Sequence, residues 1–348
     1  MTAPLIVTRD DALLDELLRL AAAAGITPDV AHDTGAALRS WTAAPLVLLG
    51  ADLAAETART GPVRRPGVHV VSWGPARDDL FRVAVAVGAE DVTSLPHSEG
   101  WLVETLTDLG DTGRTRGLVV GVVGGSGGAG ATTLACALGQ VAARSGPAVV
   151  LDTDPLGPGI DRVLGLESRD GARWDALCQT TGRLSSRALR EALPRRGDLG
   201  VLTWHAGHPS SLQAFAVREA LSAAQRGHDV VVVDLPRAAD PVIDEVVSRC
   251  DRVLVVVAPT VAGVASAGRL CGRLADPTRL RLVVRGHGLA PAEIARATGV
   301  PVVAGMADQR GLAEAIDLGL GPVRSRRGPL GRAAGDLLTT VRVMGAAA

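Results

Sequence analysis

A glycine-rich segment flanked by apolar residues is the first part of the sequence whose residue types could do chemistry. Residues 124–133 read Gly-Gly-Ser-Gly-Gly-Ala-Gly-Ala-Thr-Thr, between a valine-rich run at 118–123 and a helix-like run at 134–143. A strand, a glycine-rich loop and a helix in this order typically hold phosphate, because glycines let backbone N–H groups approach an anion at a helix N-terminus. An ordinary tight turn between a strand and a helix is the alternative interpretation.

Two later strand-like runs end in aspartate. The apolar run at 148–151 leads into Asp152-Thr153-Asp154, and the run at 230–233 leads into Asp234. The carboxyl ends of parallel strands meet at one edge of a sheet, so these side chains are expected to face the glycine-rich loop. Taken alone, Asp234 could merely cap the following segment. The three elements in this order favour a site for nucleotide and Mg²⁺.

The glycine-rich segment resembles the deviant Walker A loop of the MinD/ParA family, K-G-G-x-G-K-[ST]-T. Ser126 stands at the first lysine of that pattern and Ala131 at the second, while Thr132 and Thr133 match it. In that family the second lysine neutralises the β- and γ-phosphates, and the first reaches the nucleotide of a dimer partner. The resemblance implies a P-loop that lacks both charges, with weak or no ATP hydrolysis.

The resemblance also implies a cofactor and a set of site residues. The expected cofactor is ATP or ADP with Mg²⁺. The residues implied to bind it are Gly127, Gly128, Gly130, Ala131, Thr132 and Thr133. The implied Mg²⁺ ligands are Thr132, Asp152 and Asp234. Asp154 is the implied catalytic residue of an active enzyme, near the γ-phosphate and the attacking water.

Arginine is the only strong base in this sequence, which contains neither lysine nor asparagine. Arg285 stands at the position of an asparagine that helps members of the family to hold adenine. Arg237 or Arg9 could supply the missing charge in trans, a hypothesis that substitution of either residue would test.

The N-terminal third alternates short apolar strands with helices and resembles a response-regulator receiver domain. Gly50 stands at the position of the phosphoacceptor aspartate, and Thr8-Arg9-Asp10 follows the first strand where an acidic pair is usual. The resemblance implies an interaction module that is not phosphorylated. A shifted, working site built on Asp52 is the alternative.

The predicted fold class is α/β, with two doubly wound parallel-sheet domains. We expect a receiver-like, flavodoxin-like domain at 1–110, a polar linker at 111–117 and a MinD/ParA-type P-loop NTPase domain at 118–348. This order of domains most resembles the CpaE/TadZ branch, and a related actinobacterial group described as septum-site-determining. Proteins of that branch position pilus, secretion or division machinery.

Charge and hydropathy set limits on partners and location. The net charge of −1 gives no global positive field, so no specific nucleic acid is expected. No leader-like N-terminus and no apolar run of about 20 residues is present, which predicts a cytoplasmic protein. The amphipathic tail at 321–344 is expected to pack on the sheet, with peripheral contact at the inner face of the cell membrane as the alternative.

Three functions remain open from the sequence. The leading hypothesis is a nucleotide-binding or pseudo-ATPase localisation factor that forms a homodimer and positions division, Flp-pilus or secretion machinery through its receiver-like domain. A slow but genuine ATPase with a MinD-like membrane cycle is the second. A nucleotide-free interaction scaffold is the third.

Overall fold

Two compact units make up the chain, Met1–Thr115 and Arg116–Ala348. The computed structural model describes residues 3–112, 116–179, 184–205, 212–274 and 276–346. One unit is built on a sheet of five strands and the other on a sheet of eight. The predicted α/β class, with two parallel-sheet domains, is confirmed.

The first unit carries its strands in the order β2-β1-β3-β4-β5, all parallel. The strands are β1 (Leu5–Val7), β2 (Asp29–Ala31), β3 (Val47–Gly50), β4 (Val68–Trp73) and β5 (Asp91–Leu95). The helices are α1 (Asp11–Ala23), α2 (Thr34–Ser40), α3 (Ala51–Thr60), α4 (Asp78–Val87) and α5 (Glu99–Thr112). Helix α5 runs into the predicted linker at 111–117, because the stripe of Leu102, Leu106 and Leu109 continues to pack on the sheet.

The second unit places its strands in the order β13-β12-β11-β6-β10-β7-β9-β8. The strands are β6 (Leu118–Gly124), β7 (Ala148–Asp152), β8 (Arg195–Arg196), β9 (Leu199–Leu202), β10 (Val230–Leu235), β11 (Arg252–Val257), β12 (Leu280–Arg285) and β13 (Val302–Met306). The short β8 is antiparallel to β9, since only two residues connect them. Every other neighbouring pair is parallel.

Helices cover both faces of the larger sheet. They are α6 (Ala131–Ala142), α7 (Ile160–Leu164), α8 (Trp174–Cys178), α9 (Ser186–Ala192), α10 (Ala214–Gly227), α11 (Pro241–Arg249), α12 (Val261–Arg273), α13 (Pro291–Thr298), α14 (Leu312–Asp317) and α15 (Pro329–Ala346). A 3₁₀ turn spans Pro277–Arg279. Alternate residues of β6 enter opposite cores, Val119 and Val123 on one face, Val120 and Val122 on the other.

The C-terminal helix α15 packs into one of these cores. Leu330, Leu337 and Val341 are buried with residues of α6 and β13. The interpretation of the tail as a helix packed on the sheet is therefore supported over the membrane alternative. Among the described helices, none combines the length and apolar character that a membrane-spanning segment needs.

Candidate functional site

The loop between β6 and α6 adopts a backbone that only glycine accommodates readily. Gly128 has φ of +72° and Gly130, which precedes the first turn of α6, has φ of +96°. At Gly125, a Cβ would lie 2.8 Å from Cβ of Ala267, and the Gly125 amide donates to Val256 O at 2.8 Å. The loop thus lies against β11 and α12 and leads directly into the N-terminus of α6.

The amides of this loop are available to a ligand. Ala129 N donates to Ser126 O at 3.3 Å, and Leu134 N donates to Gly130 O at 3.0 Å. Within the part of the chain that the structure describes, no acceptor is found for the amides of Gly127, Gly128, Gly130, Ala131, Thr132 and Thr133. These are the six residues that the sequence predicts to bind the cofactor. Unpaired amides at a helix N-terminus form an anion-binding cradle.

Neither position of a family lysine brings charge to this cradle. Ala131 is the first residue of α6, and Ser126 lies half-buried in the loop. A different cation reaches the loop instead: Arg285, the last residue of β12, donates from Nη1 to Gly128 O at 3.3 Å. Its Nε donates to Asp308 Oδ1 at 3.2 Å.

The two arginines proposed from the sequence to supply charge are engaged elsewhere. Arg237 Nη2 donates to Ser266 Oγ at 3.0 Å, on the helix α12. Arg9 pairs with Glu56 inside the first unit, with 3.3 Å between its Nη1 and Oε2 of Glu56.

Two buried carboxylates lie side by side below the loop. Asp234 in β10 and Asp152 at the end of β7 are partners in the strand register, with 4% and 1% of their surfaces exposed. Burial raises the pKa of Asp234 to about 7, although a hydrogen bond from Thr132 opposes the shift. Burial also raises the pKa of Asp152 to about 6, against a hydrogen bond from Thr203. Both carboxyls would ionise more readily beside a cation.

Asp152 already has protein partners on both carboxylate oxygens. Oδ2 accepts from Thr203 Oγ1 at 2.7 Å and from Ile160 N at 3.3 Å, while Oδ1 accepts from Asp154 N at 3.1 Å. The indole of Trp174 donates to the carbonyl oxygen of Asp152 at 2.6 Å. These bonds give Asp152 a structural role in shaping the turn after β7. Its predicted role as a Mg²⁺ ligand stays a prediction.

The turn after β7 carries Asp154, which is half-buried. Its Oδ1 accepts from Leu156 N at 3.0 Å, and its charge acts on both Asp152 and Asp234. Its predicted catalytic role stays a prediction.

The residues present fit a Mg²⁺ ion that is held partly by a nucleotide. Mg²⁺ is usually bound through one or two carboxylates together with phosphates and waters. Asp234, with Thr132 beside it, supplies oxygen ligands of that kind below the cradle. The described residues contain no cluster of three or more His, Cys, Asp or Glu side chains suited to a metal alone.

In the first unit, the residues around the expected phosphoacceptor position are hydrogen-bonded to one another. Asp52, in the first turn of α3, accepts from Thr8 Oγ1 at 2.9 Å and from Arg9 N at 2.7 Å. A Cβ on Gly50 would overlap the carboxylate of Asp52. Asp10 caps α1, with Oδ1 accepting from Ala12 N at 3.0 Å. These contacts engage both carboxylate oxygens of Asp52, and the absence of phosphorylation stays a prediction.

Sequence reasoning missed Thr203 and Asp308 as parts of the site. Thr203 directly follows β9, and Asp308 lies two residues after β13. Both residues could have been found from their position in the sequence, because polar residues just beyond a parallel strand reach the edge of the sheet where ligands bind.

The fold and site together define a P-loop protein of the MinD/ParA type that carries a receiver-like N-terminal unit. Residues 7–117 match the family model described as "Rv3660c-like, CheY-like N-terminal domain". Over 321 residues the chain is 37% identical to protein Rv3660c of Mycobacterium tuberculosis, covering 89% of this chain and 90% of that protein. The chain belongs to the Rv3660c-like family.

More distant relatives agree on the P-loop unit. The septum site-determining protein MinD of Bacillus subtilis is 29% identical over 177 residues, which cover 48% of this chain and 64% of that protein. The solved structure of Pyrococcus horikoshii MinD with Mg-ADP has a TM-score of 0.55 at 16% identity, covering 66% of this chain and 98% of that chain. At this identity the likeness shows the fold.

Proposed function

We propose that this protein is a nucleotide-binding localisation or regulatory factor that hydrolyses nucleotide weakly or not at all. The observation that carries the proposal is the selective loss at the phosphate loop. The cradle has glycines with positive φ and unpaired backbone amides, whereas the side chains at positions 126 and 131 carry no charge. A bound nucleoside phosphate and Mg²⁺ are the ligands that this arrangement suits.

Binding and turnover depend on different parts of this site. Backbone amides and the helix N-terminus act on the phosphates in the ground state, and they need no side-chain charge. A lysine on the transferring phosphoryl group acts mainly in the transition state, where such contacts contribute several kcal/mol. A loop with amides and without lysines should therefore bind nucleotide better than it cleaves it.

The protein's own residues have distinct roles in this proposal. Thr132 and Asp234 hold the Mg²⁺, which supplies charge neutralisation to the phosphates when bound. Asp152 keeps the turn after β7 in place through Thr203 and the amide of Asp154. Asp154 would orient a water, and its presence is the observation that favours the second candidate, a slow but genuine ATPase with a MinD-like membrane cycle.

A homodimer formed through the loop face is part of the proposal. Leu156, in the turn after β7, is 87% exposed, and Val261, at the start of α12, is 78% exposed. Both follow strands that end at the same edge of the sheet as the cradle. Large apolar side chains exposed on one edge are typical of a contact surface. Division-septum, Flp-pilus or secretion proteins would then be positioned through the receiver-like unit.

Titration calorimetry with Mg²⁺ and ATP, ADP, GTP or GDP, together with a phosphate-release assay, tests the proposal. Saturable binding with little or no phosphate release is the expected result. Steady release at a rate above that of an Asp154→Asn variant would instead establish the ATPase. If no nucleotide binds saturably, the nucleotide-free scaffold is left. Light scattering with and without the ligand measures the dimer in the same samples.

A further inference from the structure

An arginine side chain from a distant strand lies against the phosphate loop. Arg285 ends β12, and its Nη1 donates to Gly128 O at 3.3 Å. A Cβ on Gly130 would lie 2.8 Å from this nitrogen and 3.5 Å from Cζ of Arg285, so the guanidinium packs on the bare Cα of that glycine. Among the described residues, no other side chain donates to a carbonyl oxygen of residues 124–131. Arg285 therefore brings a positive charge into contact with the segment that forms the cradle.

Part of the hydrogen-bonding capacity of this guanidinium is unused. Its Nε donates to Asp308 Oδ1 at 3.2 Å and its Nη1 donates to the loop, whereas Nη2 has no acceptor among the residues that the structure describes. An arginine has more N–H donors than these two bonds use, and the side chain of Arg285 is 35% exposed. Donors are therefore left for an anion that the loop holds.

The charge of Arg285 is only partly offset by its carboxylate partner. Asp308 contacts Nε, while Nη1 is the nitrogen that faces the loop. The carboxylate is 70% exposed against 35% for the guanidinium, so water screens the negative charge more than the positive one. The positive charge therefore dominates on the loop side of the pair.

We propose that Arg285 binds the phosphates of the ligand and supplies the positive charge that positions 126 and 131 lack, an inference that rests on the proposed function of nucleotide binding. A guanidinium beside the unpaired amides of Gly130 and Ala131 offers an anion both charge and donors. The planar fork of arginine suits phosphate oxygens. Because the side chain approaches from a neighbouring part of the sheet, this fork does not have to fit inside the tight loop.

A ligand without a base separates this role from a contact with the base. Calorimetric titration of the full chain with Mg²⁺ and tripolyphosphate is compared with titration with Mg²⁺ and ADP. We expect Arg285→Gln to weaken binding of both ligands about tenfold, as the loss of a charge-assisted hydrogen bond does. A variant that weakens ADP binding alone would assign Arg285 to the base and overturn the inference.

The remaining outcomes of these titrations also decide the question. If Arg285→Gln binds both ligands as the wild type does, or if the wild type binds ADP and not tripolyphosphate, the inference fails while nucleotide binding stands. If the wild type binds neither ligand saturably, the proposed function fails and the inference fails with it.

A change of the partner should act in the opposite direction. Asp308→Asn keeps an oxygen that can accept from Nε of Arg285 and removes the negative charge. We expect it to strengthen tripolyphosphate binding about threefold, within the range measured for exposed ion pairs. Weaker binding in Asp308→Asn would contradict the assignment of the charge to Arg285.

A conservative variant separates the charge from a merely structural role. Arg285→Lys keeps the charge and should bind tripolyphosphate more tightly than Arg285→Gln does, whereas equal affinities would overturn the inference. Thermal unfolding at a midpoint close to the wild type verifies that the variants are folded. Arg296→Gln on α13 and Asp317→Asn on α14 change exposed residues of the same kinds and should keep the wild-type affinities.

Discussion

The two units of this chain have each lost charged residues at the site that their folds usually carry, with opposite structural results. In the receiver-like unit, Asp52 folds over Gly50 and its oxygens are satisfied by Thr8 and Arg9. In the P-loop unit, the amides of the cradle stay unpaired in the described structure, and Asp234 stays buried next to Asp152.

The difference is between a carboxylate that has protein partners and a loop whose amides have none among the described residues. An exposed carboxylate with hydrogen-bond partners on both oxygens costs little to keep. Buried neighbouring carboxyls cost free energy in the ligand-free protein, and a cation between them would offset that cost. The following predictions test whether the contrast holds.

Loss of the buried carboxylate should have the largest effect. Asp234→Asn removes the charge that would hold Mg²⁺, and we expect nucleotide affinity in Mg²⁺ to fall about a hundredfold, equivalent to about 2.7 kcal/mol. Calorimetry with and without Mg²⁺ measures this change. Asp198→Asn, on the exposed turn before β9, is the control and should bind as the wild type does. An unchanged affinity in Asp234→Asn would place the metal elsewhere.

Restoring the missing aspartate of the receiver-like unit should damage it without reviving it. Gly50→Asp would press against Asp52, and overpacking of this kind costs about 2 kcal/mol in the free energy of unfolding. Urea denaturation measures the cost, and Gly100→Asp, at a position with open space, is the control. Treatment with acetyl phosphate followed by intact mass measurement should reveal no phosphoryl group. Stable phosphorylation of Gly50→Asp would show that the site is still open.

Restoring a lysine in the cradle should strengthen the function of the P-loop unit, whereas restoring the aspartate should only destabilise the receiver-like unit. Ala131→Lys places an ammonium at the first turn of α6, and we expect nucleotide to bind about tenfold more tightly, about 1.4 kcal/mol, with phosphate release rising above background. Ala131→Met has a similar length without charge and is the matched comparison. Equal affinities in the two variants would mean that the cradle cannot use the charge.

The smallest effect concerns the stability of the nucleotide-free protein. Burial raises the pKa of Asp234 to about 7, against an ordinary value of 3.8, so near neutral pH the folded protein holds a proton that the unfolded chain has released. The free energy of unfolding should therefore decrease as pH rises, by about 1 kcal/mol between pH 6 and pH 8. Urea denaturation across this range measures it. The slope should shrink in Asp234→Asn, and an undiminished slope there would assign it to other groups.

Local sequence patterns predicted the parts of the fold that depend on local chemistry. Runs of apolar residues predicted the valine-rich strands β6 and β10, and the freedom of glycine to adopt positive φ predicted the loop between β6 and α6. The order of strands, loop and carboxylates along the chain was therefore predicted correctly. The contact of Arg285 with Gly128 joins residues 157 positions apart, and that of Thr203 with Asp152 joins residues 51 apart. Such pairs depend on strand order, which no local pattern contains.

The first unit illustrates the same limit. The sequence placed Gly50 at the phosphoacceptor position and left Asp52 as an alternative acceptor. Only the folded structure brings Thr8 and the amide of Arg9 to the two oxygens of Asp52, because β1 and β3 are neighbours in the sheet. Helix α5 ends at Thr112, two residues into the stretch expected to be a linker, where the composition is polar and glycine-rich.

The indole of Trp174 gives the candidate site an optical signal of its own. It donates to the carbonyl of Asp152 and lies 6.2 Å from the ring of Trp204, measured between centroids. All other tryptophans of the sequence belong to the first unit. With Trp41, Trp73 and Trp101 replaced by phenylalanine, the intrinsic emission would come only from this pair. A shift of the strand end at Asp152 on ligand binding would then be seen as a change in fluorescence, without any attached dye.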